Sequence, residues 1–230
     1  MAKKGKIKKK RLVVVAGPSC SGKSWIIDQL KSTSPDAAAR VVQKQCKLKG
    51  RVLSNRLRLY SLRKDIKKYL EARIQKRLRN GGYLHFDSTS ARQALKRSIL
   101  HDLIGEADEA ILVNIVMGFD QWISANQLRM KEDVEHPVNS FVRKMLALHS
   151  RNPDAARRCY SFMFDEWQRF LESFPELKCF VFESRRLVFI KKIDREKLGL
   201  VNMTPLQLVW LRLRYGFLLA RVSSAGALRC

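Results

Sequence analysis

The tightest constraint on this chain is the run Gly17-Pro18-Ser19-Cys20-Ser21-Gly22-Lys23-Ser24. Before it stands Leu12-Val13-Val14-Val15-Ala16, a β-branched run that reads as a strand buried on both faces. After it, Ser24 to Leu30 continues as a helix with Trp25, Ile26, Ile27 and Leu30 inward. Glycines at 17 and 22 let the backbone turn where side chains would clash, so successive N–H groups converge on one anion. The helix that follows turns its positive dipole end to the same point. Lys23 adds a cation within reach of terminal phosphates, and Ser24 adds a hydroxyl suited to a hard divalent cation. All eight residues, from Gly17 to Ser24, are therefore expected to form one phosphate cradle. Cys20 reads either as an activated thiol at a helix N-terminus or as a small loop residue.

Charge narrows the partners. Lys and Arg number 46 against 21 Asp and Glu, a formal net charge of +25 in 230 residues. Such an excess seeks phosphates, nucleic acid or an acidic membrane surface, unless it only solubilises the protein. Residues 1–11 hold six Lys and one Arg and read as a flexible basic tail. The five cysteines are scattered with no Cys-x-x-Cys pair and no zinc spacing to histidine, which suits free thiols in a reducing compartment. The apolar run at 12–16 is too short for a signal-peptide core, and no run approaches the ~20 residues of a membrane span. The expected location is cytoplasmic.

Strand-like and helix-like segments alternate. The stretch 37–80 is basic and mostly helical in pattern, ended by Asn80-Gly81-Gly82. Tyr83–Asp87 and Ala110–Met117 read as strands, with Ala91–Leu103 helical between them. Asp120–Ser150 is helical, broken at His136-Pro137, and Asp154–Phe174 is a further amphipathic helix. Lys178–Phe182 and Arg186–Ile190 are further apolar runs. This alternation predicts an α/β fold with a parallel sheet covered on both faces.

A triphosphate cradle needs a second acidic group to organise Mg²⁺ or the attacking atom. Asp87, at the end of its strand, is the candidate; a helix cap for the following Ser-Thr-Ser is its alternative. Gly17-Pro18-Ser19-x-Ser21-Gly22-Lys23-Ser24 resembles the loops of P-loop kinases, guanylate and uridine kinases among them. Phe86-Asp87-Ser88-Thr89-Ser90-Ala91-Arg92-Gln93 is similar to the guanylate-kinase segment in which a strand-ending Asp precedes Ala-Arg-Gln. The order Asn126-x-x-Arg129-x-Lys131, Pro137-Val138, Val142-Arg143-x-x-Met145 resembles the lid of small P-loop kinases. The resemblance spans about residues 12–184.

What it implies is a three-layer P-loop NTPase fold, with a kinase-like domain at 12–200 and a helical lid at about 120–150; residues 201–230 read from their own spacing as a C-terminal amphipathic helix and tail. It also implies ATP and Mg²⁺ as cofactors, Ser24 and Asp87 as metal ligands, and Lys23, Asp87, Arg129 and Arg143 as catalytic residues. The activity implied is phosphoryl transfer to a small acceptor. The guanylate-kinase Thr-Thr-Arg acceptor segment is replaced here by Arg51, Arg56, Arg58, Tyr60 and Arg63. GMP is thus not indicated, though a cluster of arginines suits another anionic acceptor.

Three alternatives stay open. One is an ATPase or GTPase switch, for which Asp102-Leu103-Ile104-Gly105 and Lys191-Lys192-Ile193-Asp194 are the relevant segments. Another is a nucleic-acid-associated ATP-binding protein using the tail and the basic helix. The third is a peripheral-membrane kinase of a glycan or lipid precursor. For it, Leu206, Val209, Trp210, Leu213 and Phe217 would form one face of a helix begun by Thr204-Pro205, which either docks as a terminal core helix or lies in an interface.

Overall fold

The computed structural model describes residues 10–23, 25–26, 29, 37–45, 53–54, 82–88, 104–105, 107–132, 140–184 and 186–223. Among the described residues, six strands form one sheet: β1 (Lys10–Ala16), β2 (Leu53–Ser54), β3 (Gly82–Ser88), β4 (Glu109–Val116), β5 (Lys178–Glu183) and β6 (Val188–Ile190). Their spatial order is β2-β3-β1-β4-β5-β6. The helices are α1 (Ala37–Gln45), α2 (Phe119–Glu132), α3 (Ser140–Arg151), α4 (Pro153–Glu172) and α5 (Pro205–Ser223). A further helix begins after Gly22 and includes Lys23, Trp25, Ile26 and Gln29. The architecture is mixed α/β.

β1 and β4 sit at the middle of the sheet, and β4 is buried along nearly its whole length. Continuous apolar sequence is what a strand covered on both faces requires. Val13, Val15, Ile111, Val113 and Ile115 face one core with Ile26, Val42 and Phe182. Val116 faces the other, larger core, which Phe119, Trp122, Phe162 and Leu211 build from α2, α4 and α5. α4 starts where Asn152 and Pro153 dictate: Ala155 N donates to Asn152 Oδ1 at 3.0 Å, and proline fits the first turn.

Several expectations are corrected. β1 begins at Lys10, so Lys10 and Arg11 pair with β3 instead of belonging to the tail. Residues 1–9 lie outside the described residues, as do 55–81 and 89–103 with the helices expected there. β2 falls inside a stretch read as helical. The sheet is not wholly parallel: β6 runs antiparallel to β5, because only four residues join them and a parallel crossover needs a dozen or more. Trp25 is exposed, for it lies about 100° around the helix from the buried Ile26.

The C-terminal helix is turned the other way. Leu211, Tyr215, Leu218 and Leu219 are buried against α3 and α4, whereas Leu206, Val209, Trp210 and Leu213 are exposed; the side chain of Phe217 lies outside the described residues. α5 is apolar on more than one side, so periodicity alone offered two faces, and a kink at Tyr215 (φ −120°, ψ 21°) decides the second half. No helix among the described residues is long and apolar enough to cross a membrane.

Burial pushes the Cys159 thiol up to about 12, against a partial opposing pull from Arg158. The fold keeps its neutral form, so this stabilisation is whole below pH 9.0 and lost as pH rises toward about 12. Cys159→Ala should remove that part of the alkaline fall in stability, measured by urea unfolding across the range. The same assay checks the helix face. Phe162→Ala, which empties a fully buried site, should cost about 3–5 kcal/mol, and Leu213→Ala less than about 0.5.

Candidate functional site

The site grows from the end of β1. Gly17 turns the chain with φ +155°, and a Cβ there would stand 2.6 Å from the Ile115 carbonyl oxygen and 2.8 Å from Ser21 Oγ. No side chain fits between this loop and β4. Ser21 N then donates to Pro18 O at 3.3 Å, closing a turn whose third residue, Cys20, has φ 61°. Gly22 has φ +85° with open space where a Cβ would be, so only backbone conformation demands glycine there. Ile26 N donates to Gly22 O at 2.9 Å, which starts the helix at Gly22. Lys23, only 6% exposed, folds back so that its Nζ donates to Pro18 O at 2.7 Å.

α2 holds the apex of this loop. Asn126 is fully buried and donates through Nδ2 to Trp122 O at 2.8 Å. That bond fixes its Oδ1, which accepts Ser19 Oγ–H at 3.0 Å and the Cys20 thiol at 3.3 Å. One turn further on, Arg129 Nη1 donates to Cys20 Sγ at 3.8 Å. A second brace comes from the residue after β5: Ser184 Oγ donates to Ser21 O at 3.3 Å, and Ser184 N donates to Val116 O at 2.8 Å. A cleft of about 410 Å³ lies beside this brace, lined by Gln121, Glu183, Ser184, Arg186, Val188 and Lys197.

Two buried polar groups here have no partner among the described residues: Ser21 Oγ and both polar atoms of the Asn114 amide. Asn114 is opposite Ala16 in the β1–β4 ladder, one residue before Gly17. Buried polar atoms are nearly always satisfied, so an orphaned amide and hydroxyl this close to the Gly17 turn mark a place built for polar contacts.

The structure thus brings Gly17, Pro18, Ser19, Cys20, Ser21, Gly22 and Lys23 together with Arg129. Ser24 lies outside the described residues. Asp87 is in register with Val15 near the C-terminal end of β3, at the same end of the sheet as the loop; its side chain lies outside the described residues. Arg143 is exposed on α3. Asp194, in the second segment relevant to a GTPase switch, accepts Lys197 N at 3.1 Å and so caps its own turn. Ile104 and Gly105 form a helical turn rather than the end of a strand, and Asp102 lies outside the described residues. Sequence reasoning missed Asn126 and Ser184 as loop braces. Asn126 is flanked by apolar Trp122 and Ile123 on one helix face, and that polar interruption was the available signal.

No family model matches the chain, and no curated protein matches its sequence. Among solved structures, a chain from the characterisation of the PezAT chromosomal toxin–antitoxin system of the human pathogen Streptococcus pneumoniae is similar over 94% of this chain and 90% of its own. The identity is 13% and the TM-score 0.43.

Two substitutions test the geometry of the loop. Gly17→Ala should disrupt it, with a loss of unfolding free energy well above that of Gly22→Ala, which should cost only about 1–2 kcal/mol of backbone strain. Asn114→Leu should leave the unfolding free energy unchanged or raise it, since no protein hydrogen bond is given up. A large loss of stability would mean that the amide has a partner within the fold.

Proposed function

We propose that this chain is an ATP-dependent phosphotransferase with the three-layer P-loop fold, acting on a small anionic acceptor. The observation that carries the reading is the loop at 17–23: a glycine-only turn at the end of a central strand, leading into a helix N-terminus, with a nearly buried lysine folded into it. Strand order supports it. From β1 the chain passes to β2 and β3 on one side and then crosses to β4 on the other, and in open α/β sheets ligands bind at the carboxyl ends of the strands where that reversal falls.

The residues present suit a nucleoside triphosphate. The Gly17 cradle admits nothing larger than backbone, and the N–H groups of residues 19, 20, 22 and 23 with the helix N-terminus would form a concavity for anionic oxygens. Lys23 exchanges its bond to Pro18 O for the β- and γ-phosphates. The nucleoside half extends toward the cleft lined by Gln121, Ser184 and Arg186. Mg²⁺ would be held by Ser24 and Asp87, whose oxygens suit a hard cation, and would neutralise phosphate charge.

Phosphoryl transfer is mainly a matter of positioning and charge stabilisation. Lys23 holds the terminal phosphates against the loop. Arg129, at the end of α2 beside Cys20, faces the charge that spreads over the transferring group. Arg143 adds a second cation from α3. Asp87 takes the proton of the acceptor hydroxyl or orients the metal. A nucleotide-driven switch, or an ATP-binding protein that works on nucleic acid, would share the loop and differ in where the phosphate goes.

The test is transfer of labelled γ-phosphate from ATP to panels of sugars, nucleosides, nucleotides and oligonucleotides. Label should appear in an acceptor, and Lys23→Ala should abolish it. Label found only as free phosphate would replace the transferase with a hydrolase or switch, and silence in Mg-nucleotide calorimetry would remove the nucleotide site itself. Arg129→Ala should lower kcat about 10²–10³-fold with little change in KM. Asp87→Asn should abolish turnover yet leave ATP binding largely intact.

A further inference from the structure

We propose that the outward side of the first half of α5 is a docking surface for an anionic lipid bilayer. Leu206 and Leu213 are 79% and 81% exposed, and Val209 and Trp210 lie between them at 54% and 44%. These four residues line one side of the helix at i, i+3, i+4 and i+7. Val201, just before the helix, is exposed too.

This face is not a frayed end. Thr204 and Gln207 form a reciprocal cap, Gln207 N donating to Thr204 Oγ1 at 3.3 Å and Thr204 N donating to Gln207 Oε1 at 2.9 Å. Leu211 and Tyr215 bury the opposite side, and beyond the kink Leu218 and Leu219 are fixed in the core. Residues 205–214 therefore form a rigid rod about 15 Å long that holds large apolar side chains out in water. Such a placement is unfavourable unless something covers it.

Charge identifies the cover. Glu196 is the last acidic residue of the chain; after it come Lys197, Arg212, Arg214, Arg221 and Arg229 with no acid among them. The Arg214 guanidinium lies over the Trp210 ring at 5.0 Å, so a cation and an interfacial aromatic stand together on the exposed side. Arg212 lies over Phe162 at 5.2 Å on its flank. A second copy of the chain would set arginines against arginines, with a net charge of +25 on each partner. A nucleic acid would engage the arginines and leave Leu206 and Leu213 uncovered. An anionic bilayer takes both, with leucines at the acyl boundary, Trp210 at headgroup depth and arginines on lipid phosphates.

The experiment is co-sedimentation of the full chain with vesicles of phosphatidylcholine, with and without phosphatidylserine, at low and high salt. The wild type should bind the anionic vesicles and keep part of that binding in high salt, where contacts made by the basic tail alone are screened. L206S with L213S should weaken that partition about tenfold for each leucine, with far-UV circular dichroism unchanged. R212Q with R214Q should weaken it about fivefold for each charge. Brominated acyl chains should quench tryptophan fluorescence in the wild type and less in W210F. A wild type left in the supernatant, binding indifferent to L206S/L213S, or absence of acyl-chain quenching would each overturn the proposal. So would a dimer in vesicle-free sedimentation velocity that L206S/L213S dissolves, which would assign the face to a second copy.

Discussion

The contact between Gly17 and the Ile115 carbonyl sets everything around it. A strand that leaves a sheet normally carries side chains that hold the next segment some distance off. Here the absence of one lets the loop lie against β4, since even a methyl group would stand 2.6 Å from that carbonyl. Because the loop is seated so low, the chain re-enters as a helix at Gly22, and Lys23 comes back over the turn to Pro18. Ser21 is drawn under the loop until its backbone carbonyl meets Ser184, just past the end of β5. A glycine chosen for steric reasons thus brings a tight backbone turn, a helix start and a cation to one spot.

The loop does not keep that shape unaided. Its apex is tied to Asn126, and Asn126 is aimed by its bond to the Trp122 carbonyl one turn earlier. The start of α2 is fixed in its turn by the segment 194–200, where Phe119 N donates to Leu198 O at 2.9 Å and Gly118 lies against the Leu198 backbone. Arg195 secures that segment to α4 through both oxygens of Asp165, at 2.6 and 3.4 Å. Each half of this ion pair is about one-third exposed, so its energy is at most about 1 kcal/mol. Its value is positional: it carries the rigidity of α4 out to the helix that braces the loop.

What could be read from the residues was whatever depends on near neighbours in sequence. The strand–glycine–lysine–helix succession is local, and it stands where it was expected. The strands at 83–87, 110–117 and 178–182 are apolar runs bounded by turns, and each is found to within about two residues. β2 was invisible because a two-residue strand on the outer side of β3 has no periodicity of its own. The braces at Asn126 and Ser184 were hidden for another reason. They join residues 107 and 163 positions apart, and no local pattern encodes such a pairing. α5 shows the limit of periodicity itself: with apolar residues on two sides, the inward choice depends on the α3 and α4 surfaces that receive it, which sequence spacing does not contain.

Asn114 turns this limit into an argument about the site. Every other described position of β4 from Ala110 to Val116 is apolar, and a leucine or valine there would satisfy the same packing without an orphaned amide. A fully buried, unpartnered amide is destabilising by about 1–3 kcal/mol. Local rules of folding are broken in natural proteins chiefly where function requires it. This one is broken opposite Ala16, the residue before Gly17, at the strand end from which the loop with the orphaned Ser21 hydroxyl leaves. Glycine chosen by sterics and polarity left without an internal partner meet at the carboxyl end of β1 and β4. Their coincidence is what supports the proposed site at that end of the sheet.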